Sequence, residues 1–266
     1  MMHLLRIEWL KIKSYKTFWI LLSTFFVFFP LTFYFFANKF MEAVNRDGEG
    51  KMLKNMMGNP FTFPKIWQAA GWFGGLFFIL LGMLFILLIT NEVQYRTHRQ
   101  NIIDGWSRLD FLKAKFFMMV IMILLSTVMV AISGFVVGEI YSPASASITE
   151  GIYNIGYFAL MATMYMMVAF LTAILVKRTG LAIIIYFAFV CIVDNLGWLI
   201  LTYNDGQIGY YLPLESTDSL LPNPFKPSMM ERRKVTDTSL IAAALVYIVG
   251  FGALMVAHFR KTDIKT

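Results

Sequence analysis

Side chains that could do chemistry are concentrated in two stretches of an otherwise apolar chain, around Asp194 and within residues 91–115. Asp194 is the one acidic residue in the apolar run Gly180–Leu201, and Asn195 and Gly197 follow it closely. An ionisable residue in such a run faces protein or water, and it is a functional candidate for that reason. Two interpretations are open: Asp194 and Asn195 line a substrate path, or this apolar segment ends early and Asp194 caps the next turn. The clustering of helix-breaking residue types favours the second interpretation.

The segment 91–115 has the residue order of two short helices joined at a glycine. Glu92 precedes Arg96 by four residues and Arg99 by seven, so the three side chains share one helix face and can form ion pairs. Gly105 suits the left-handed backbone conformation that ends many helices. We therefore predict an elbow, helix–glycine–helix, at a membrane surface.

The second helix of this elbow is predicted to begin after Ser107, because Ser107 and Asp110 have the spacing of a capping box. A plainer alternative is a basic loop that only fixes the orientation of the chain in the membrane. Charge alone does not separate these two interpretations, whereas the order of residue types favours the elbow.

Catalytic and cofactor motifs are absent from the sequence. The single cysteine, Cys191, excludes a disulfide framework, and His3, His98 and His258 are too dispersed to predict a metal site. The sequence has neither a phosphate-binding Gly-x-x-x-x-Gly-Lys-Ser/Thr loop nor a His-Glu-x-x-His zinc motif. We therefore expect no catalytic residue, no metal and no bound cofactor on this chain.

The composition is that of an integral membrane protein, since 58% of the 266 residues are hydrophobic and only 15% are charged. The net charge of +7 is spread between apolar runs, which indicates charge flanking a bilayer and argues against nucleic acid as a partner. The predicted fold is all-α, as one transmembrane domain over residues 1–266, because lipid-embedded backbone must satisfy its hydrogen bonds internally. Six spans are predicted, at about 17–37, 70–90, 116–138, 152–176, 180–201 and 239–258.

The distribution of Lys and Arg predicts that both termini and residues 91–115 are cytoplasmic. Of the 23 basic residues, 14 lie in segments on that side and 9 in the longer segments on the other side, as the positive-inside rule requires. Residues 4–16 are predicted to form an interfacial helix on the inner leaflet. The outer segment 202–238 has apolar stretches bounded by proline, which favours re-entrant short helices before the last span.

The elbow resembles the cytoplasmic loop of the ABC transporter type 2 permeases, the membrane subunits of type V ABC exporters. A Glu, then Thr-x-Arg, Gly-x-Ser-Arg and Phe-x-x-x-Lys follow in the order of that family. The matching positions are Glu92, Thr97, Arg99, Gly105, Ser107, Arg108, Phe111 and Lys115. The six-span layout and the long segment before the last span are similar too, whereas Val93 and the long 38–69 segment depart from the family pattern.

The resemblance implies that the elbow contains a coupling helix, which docks on an ATPase subunit. The implied docking residues are Glu92, Arg96, Thr97, Arg99, Gly105, Ser107 and Arg108. ATP and Mg²⁺ would be bound by two copies of that separate ATPase, and the permease would form a homodimer or pair with a second permease. The implied location is the bacterial cytoplasmic (inner) membrane, and the implied function is export of a drug, peptide, lipid or glycan.

Two other functions remain compatible with the sequence. The long segments 38–69 and 202–238 could belong to a permease-like membrane scaffold that recruits partners without transport. Alternatively, an intramembrane enzyme could use Asp194 together with Asn195 or Tyr203.

Overall fold

The computed structural model describes residues 13, 15–45, 58–94, 108–203, 206–226 and 233–261. Across these ranges every regular element is helical, and six helices are long and apolar enough to cross a membrane. In chain order the helices are α1 (Lys16–Val44), α2 (Ile66–Gln94), α3 (Arg108–Tyr141), α4 (Tyr153–Leu175), α5 (Thr179–Thr202), the one-turn α6 (Glu215–Asp218) and α7 (Asp237–Lys261). The all-α architecture with six membrane-length helices, as predicted from the sequence, is confirmed.

Several of these helices extend beyond the apolar runs that predicted them. Helix α1 continues past the predicted end near residue 37 to Val44, and its added turns carry Lys39 and Glu42, whose side chains form an ion pair at 2.9 Å. Hydropathy detects only the part of a helix that lipid would cover, whereas backbone hydrogen bonding continues until a residue breaks it. Helix ends in the polar layers are therefore missed by a hydropathy pattern.

Helices α2 and α4 form the centre of the bundle. In the most apolar 18-residue stretch of each of these helices 67% is buried, compared with 22% in α1 and 17% in α5 and α7. Close packing at the centre depends on small residues: a Cβ added at Gly74 of α2 would lie 2.7 Å from Val130 of α3 and 2.9 Å from Phe158 of α4. The peripheral helices present their apolar faces outward, as lipid contact requires.

Two long helices contain a π-helical turn, one shortly before Pro30 and one directly before Asp194. In α1 the turn Thr24–Phe28 precedes Pro30, whose backbone nitrogen carries no hydrogen and therefore cannot donate a hydrogen bond. In α5 the turn Phe189–Val193 ends immediately before Asp194. The helix then continues to Thr202, so the expectation that this segment ends early at Asp194 is wrong. The extra residue of a π turn absorbs the irregularity without stopping the helix.

The bundle has two ends that differ in their polar residues. We call the end that carries residues 91–94 and 108–115 the elbow end, and the opposite end, which carries residues 58–65, 142–152 and 206–226, the far end. Both ends concentrate ionisable side chains, and the candidate sites lie there.

Candidate functional site

At the elbow end, a buried ion pair joins the last turn of α2 to the first turns of α3. Lys115 Nζ lies 2.6 Å from Glu92 Oε1, and the side chains are only 1% and 12% exposed. The Lys115 ammonium also lies 5.4 Å from the ring centre of Phe111. Removing either charge would leave the other buried without this partner, so the pair fixes where α2 and α3 meet.

Glu92, Phe111 and Lys115, which all match the permease pattern, are thus brought together at the two ends of the elbow. The sequence predicted partners for Glu92 among the arginines four and seven residues further along. It missed Lys115, because an ion pair between residues 23 positions apart depends on how two helices pack.

A set of neutral hydrogen bonds ties α1 and α5 to the same place. The Asn91 side-chain amide donates to the Tyr15 hydroxyl at 2.8 Å. The Thr179 hydroxyl, in the first residue of α5, lies 3.4 Å from Asn91 Oδ1 and 3.3 Å from Gln94 Oε1. Asn91 therefore links the start of α1, the end of α2 and the start of α5. The polar residues directly after the second apolar run were the only sequence signal for this junction.

The remaining docking residues implied by the resemblance fall on or next to the elbow. The structure describes α3 from Arg108 onward, so Arg108 lies in the helix that was predicted to follow Ser107. Residues 95–107 lie outside the described part of the chain, and with them Arg96, Thr97, Arg99, Gly105 and Ser107. The predicted interfacial helix at residues 4–16 also lies almost entirely outside it.

At the far end, Asp194 holds the segment 206–226 against α5. Its carboxylate accepts hydrogen bonds from two backbone N–H groups, that of Glu215 at 2.9 Å and that of Leu214 at 3.4 Å. Asp194 is 4% exposed, and these donors offset part of the free-energy cost of burying its charge. The carboxylate thus caps the start of α6 from a neighbouring helix.

Asn195 has a local role within α5. Its side-chain amide donates to the Val190 carbonyl oxygen at 3.0 Å, inside the π turn that precedes Asp194. A π turn leaves carbonyl groups without their usual partners, and Asn195 satisfies one of them. Asp194 and Asn195 are therefore neighbours with different contacts, one between elements and one within its own helix.

Two further carboxyl groups lie on α6, close to Asp194. The Tyr165 hydroxyl of α4 donates to Asp218 Oδ2 at 2.8 Å, and the Ser219 hydroxyl donates to Glu215 Oε1. Burial raises the pKa of the Glu215 carboxyl to about 7. Burial, followed by the nearby Glu215 charge, raises the pKa of the Asp218 carboxyl well above its usual range. The far end thus brings together an acidic cluster, Asp194, Glu215 and Asp218, that no sequence pattern indicated.

Two buried oxygen atoms, one on α6 and one on α5, have no hydrogen-bond partner among the described residues. They are Oδ1 of Asp218 and the hydroxyl of Tyr186, a residue of α5 that is 0% exposed. The Tyr186 hydroxyl lies against Gly82 of α2, where an added Cβ would collide with it. Within the described ranges, no group of three or more His, Cys, Asp or Glu is arranged to hold a metal ion.

Other contacts hold the segment 206–226 across the end of the bundle. Arg233 donates to the Ser219 carbonyl oxygen at 2.8 Å and to Asp237 of α7 at 2.6 Å. Gln68 of α2 donates to the Pro222 carbonyl oxygen at 2.8 Å. The Phe225 ring packs against four aromatic rings of α1, α2 and the turn before α2, namely those of Phe40, Phe61, Trp72 and Phe73.

Residues 52–265 match the model of a family described as a protein of unknown function, DUF2705. A search of the curated proteins found no match. The family match covers well over half of the chain, and it spans both the elbow and the far-end segment 206–226. The chain therefore belongs to the DUF2705 family.

Proposed function

We propose that this chain is the membrane-spanning permease subunit of an ATP-driven exporter, of the ABC type 2 permease kind. The observation that supports this most is the buried Glu92–Lys115 ion pair. This ion pair joins the two ends of the elbow to each other, so that a protein docked on residues 95–107 would push on α2 and α3 together. ATP hydrolysis, with its Mg²⁺, would take place on a separate ATPase chain, present in two copies.

The junction at Asn91 extends this mechanical connection. A displacement of the elbow would move α2, the most buried helix together with α4, and would reach α1 and α5 through Tyr15 and Thr179. Rigid elements connected by buried polar contacts are what a coupling between two sites needs. In this proposal the elbow end is the cytoplasmic end of a protein in the bacterial inner membrane.

We further propose that the segment 206–226 is re-entrant and closes the substrate path at the far end. Asp194, which holds it, lies eight residues before the end of α5, which corresponds to about 12 Å of helix length. Tyr165, which also holds the segment 206–226 through its hydrogen bond to Asp218, lies twelve residues after the start of α4, or about 18 Å along that helix. A surface loop would not reach contacts at that depth. The exposed faces of α1, α5 and α7 would serve lipid and a second permease subunit, either an identical copy or another chain.

The first test is co-purification in a mild detergent, followed by identification of the bound chains. An ATPase subunit with a phosphate-binding loop should be retained, and its ATP hydrolysis should respond to the permease. Its absence under conditions that keep the bundle folded would contradict the proposal.

The second test reverses two charges on the elbow. The double variant Arg99→Glu, Arg108→Glu should lose the ATPase or its response to the permease, because both arginines belong to the proposed docking surface. The matched control is Lys65→Glu, Lys234→Glu, which changes the same number of charges on exposed side chains at the far end. Equal behaviour of the two double variants would rule out docking at the elbow.

The contacts of Asp194 favour a positioning role over the catalytic role considered for an intramembrane enzyme. Both carboxylate oxygens already accept backbone N–H groups, which leaves them poorly placed to take a substrate proton. If the purified chain shows no ATP-dependent transport but hydrolyses a membrane substrate, this preference is reversed. A permease-like scaffold would retain its partners but show no ATPase response to any transported compound.

A further inference from the structure

Helices α1 and α5 are each divided into two halves by a π-helical turn, and the two turns lie at nearly the same depth in the bundle. In α1 the turn Thr24–Phe28 begins nine residues after Tyr15. In α5 the turn Phe189–Val193 begins ten residues after Thr179. Because Tyr15 and Thr179 both contact the Asn91 side chain, each turn begins about 14–15 Å of helix length from that junction at the elbow end.

The two halves of α5 have different partners. The elbow-end half, Thr179–Ala188, packs on α2, where the Tyr186 ring lies against Gly82. The far-end half packs on the segment 206–226, and Asp194 accepts two backbone hydrogen bonds from that segment. The π turn therefore separates a part of α5 that is attached to α2 from a part that is attached to the far end.

Helix α1 is divided in a similar way. Its elbow-end half packs on α2, and Tyr15, directly before it, is bonded to Asn91. Its far-end half packs on α3 as well as on α2, and the Phe40 ring lies 5.8 Å from the Phe225 ring of the segment 206–226, measured between ring centres. Both helices thus connect the Asn91 junction at one end of the bundle with the segment 206–226 at the other.

Side chains near each turn account for its irregular backbone. In α5 the Phe189 carbonyl oxygen accepts the N–H of Asp194, five residues further on, and the Val190 carbonyl oxygen accepts the Asn195 side-chain amide at 3.0 Å. In α1 the turn is followed closely by Pro30, which has no backbone N–H. Prolines and π turns are the usual places where helices bend, and π turns are frequent at functional sites.

We propose that the two π turns form a hinge layer, about which the elbow-end halves of α1 and α5 tilt while their far-end halves keep their contacts. The elbow-end halves follow α2, because the Asn91 junction ties them to it. The Asp194 carboxylate lies beyond the turn of α5, so a bend at the turn leaves its hydrogen bonds intact. For its role in transport the hinge rests on the exporter proposed above: the elbow end of the substrate path opens and closes while the segment 206–226 keeps the far end shut.

The test measures distances between spin labels by pulsed electron paramagnetic resonance, on the full chain in lipid nanodiscs without any ATPase. Cys191 is the only cysteine of the sequence, so Cys191→Ser provides a cysteine-free background. One pair of labels, at Ile20→Cys and Ile184→Cys, reports the elbow-end halves, and a second pair, at Phe35→Cys and Leu199→Cys, reports the far-end halves. All four native side chains are exposed. The elbow-end distances should be distributed about twofold more broadly than the far-end distances. Equal widths would overturn the proposal.

A deletion tests whether the extra residue of the π turn provides the hinge. A π turn has one residue more than the α-helical turn it replaces, so deleting Ile192, an exposed residue of the turn, should leave a regular helix with Thr179 and Asp194 still in place. The elbow-end distribution should then narrow by about twofold, with the far-end distribution unchanged. The matched control, Ile192→Ala, removes most of the same side chain but keeps the residue, and it should change neither width. An elbow-end width that the deletion leaves unchanged would overturn the hinge in α5.

If the deletion variant does not fold, the comparison of the two label pairs decides the question, because it needs no change in the length of α5. Neither measurement depends on an ATPase. A broad elbow-end distribution without an associated ATPase would contradict the exporter and retain the hinge. An associated ATPase together with equal widths at the two ends would contradict the hinge and retain the exporter.

Discussion

The two ends of the bundle bury carboxylates in opposite ways. At the elbow end, Glu92 pairs with the nearly inaccessible ammonium of Lys115 at 2.6 Å. At the far end, Glu215 and Asp218 lie beside Asp194, and the cluster is held by hydroxyl and backbone donors alone among the described contacts. The same residue types therefore serve different purposes, and the presence or absence of a countercharge distinguishes them.

This difference has a mechanical meaning. The Glu92–Lys115 pair connects two helices through a short buried contact, so it suits a joint that transmits force. The far-end carboxyl groups of Glu215 and Asp218 have no cation within ion-pair distance among the described residues, and burial raises the pKa of each, so the far end changes its charge with pH. The substitutions below test this contrast, beginning with the largest expected effect.

Lys115→Met should destabilise the protein most, by about 3–5 kcal/mol, because it removes the ammonium that pairs with the buried Glu92 carboxylate at 2.6 Å. Unfolding in mixed micelles of a mild detergent and dodecyl sulfate measures this. The double variant Glu92→Gln, Lys115→Met should recover most of the loss, since neither charge then remains. Lys113→Met is the matched control: it removes an exposed lysine paired with Asp110 at 3.5 Å and should cost about 0–1 kcal/mol. Equal effects of the two single variants would remove the contrast between the ends.

Asp194→Ala should destabilise the far end by about 2–3 kcal/mol, because it removes the acceptor of two charge-assisted hydrogen bonds. The expected result is local: the backbone amides of Leu214 and Glu215 should exchange hydrogen faster, while amides at the elbow end keep their protection. Asn195→Ala is the control, since Asn195 bonds only within α5 among the described contacts. Unchanged exchange in Asp194→Ala would mean that other contacts hold the segment.

The sequence predicted the elements of both ends better than their contacts. Six apolar runs predicted the six membrane-length helices, because hydrophobic length is a local property that lipid selects directly. The order of residues after Asn91 predicted a helix that follows Ser107, and residues 108–141 are helical. The prediction that the Asp194 carboxylate caps a turn was right, but the prediction that the helix ends at Asp194 was wrong. Asp194 lies within a continuous helix and caps α6 from there.

The contacts between distant residues could not be predicted in this way. The Glu92–Lys115 pair and the Tyr165–Asp218 hydrogen bond join residues 23 and 53 positions apart. Such pairs depend on the rotation and depth of packed helices, and hydropathy carries no information on either. Asp218 in particular follows a proline-bounded stretch, where its residue type alone suggests an exposed loop.

The far end should also respond to pH. Burial raises the pKa of Glu215 from 4.5 to about 7, so the folded protein holds a proton that the unfolded chain releases between these values. Stability should therefore fall as pH rises from about 4.5 to about 7, by about 1–3 kcal/mol, and stay at the lower level above that. Unfolding measured across this range should show a shallower slope in Glu215→Gln. A slope that Glu215→Gln leaves unchanged would assign the pH response to other groups.

The smallest expected effect concerns the neutral hydrogen bonds at the elbow end. Tyr15→Phe removes the acceptor of the Asn91 amide, and water at the membrane surface can replace it, so the expected loss is only about 0.5–1 kcal/mol. Its effect on coupling should be larger than its effect on stability, because this bond connects α1 to the elbow. In a complex with the ATPase, Tyr15→Phe should lower the ATPase response more than Tyr153→Phe, which alters an exposed tyrosine at the far end. If both variants keep the full response, α1 moves independently of the elbow. The Glu92–Lys115 pair between α2 and α3 then transmits the movement of the elbow without the Tyr15–Asn91 hydrogen bond.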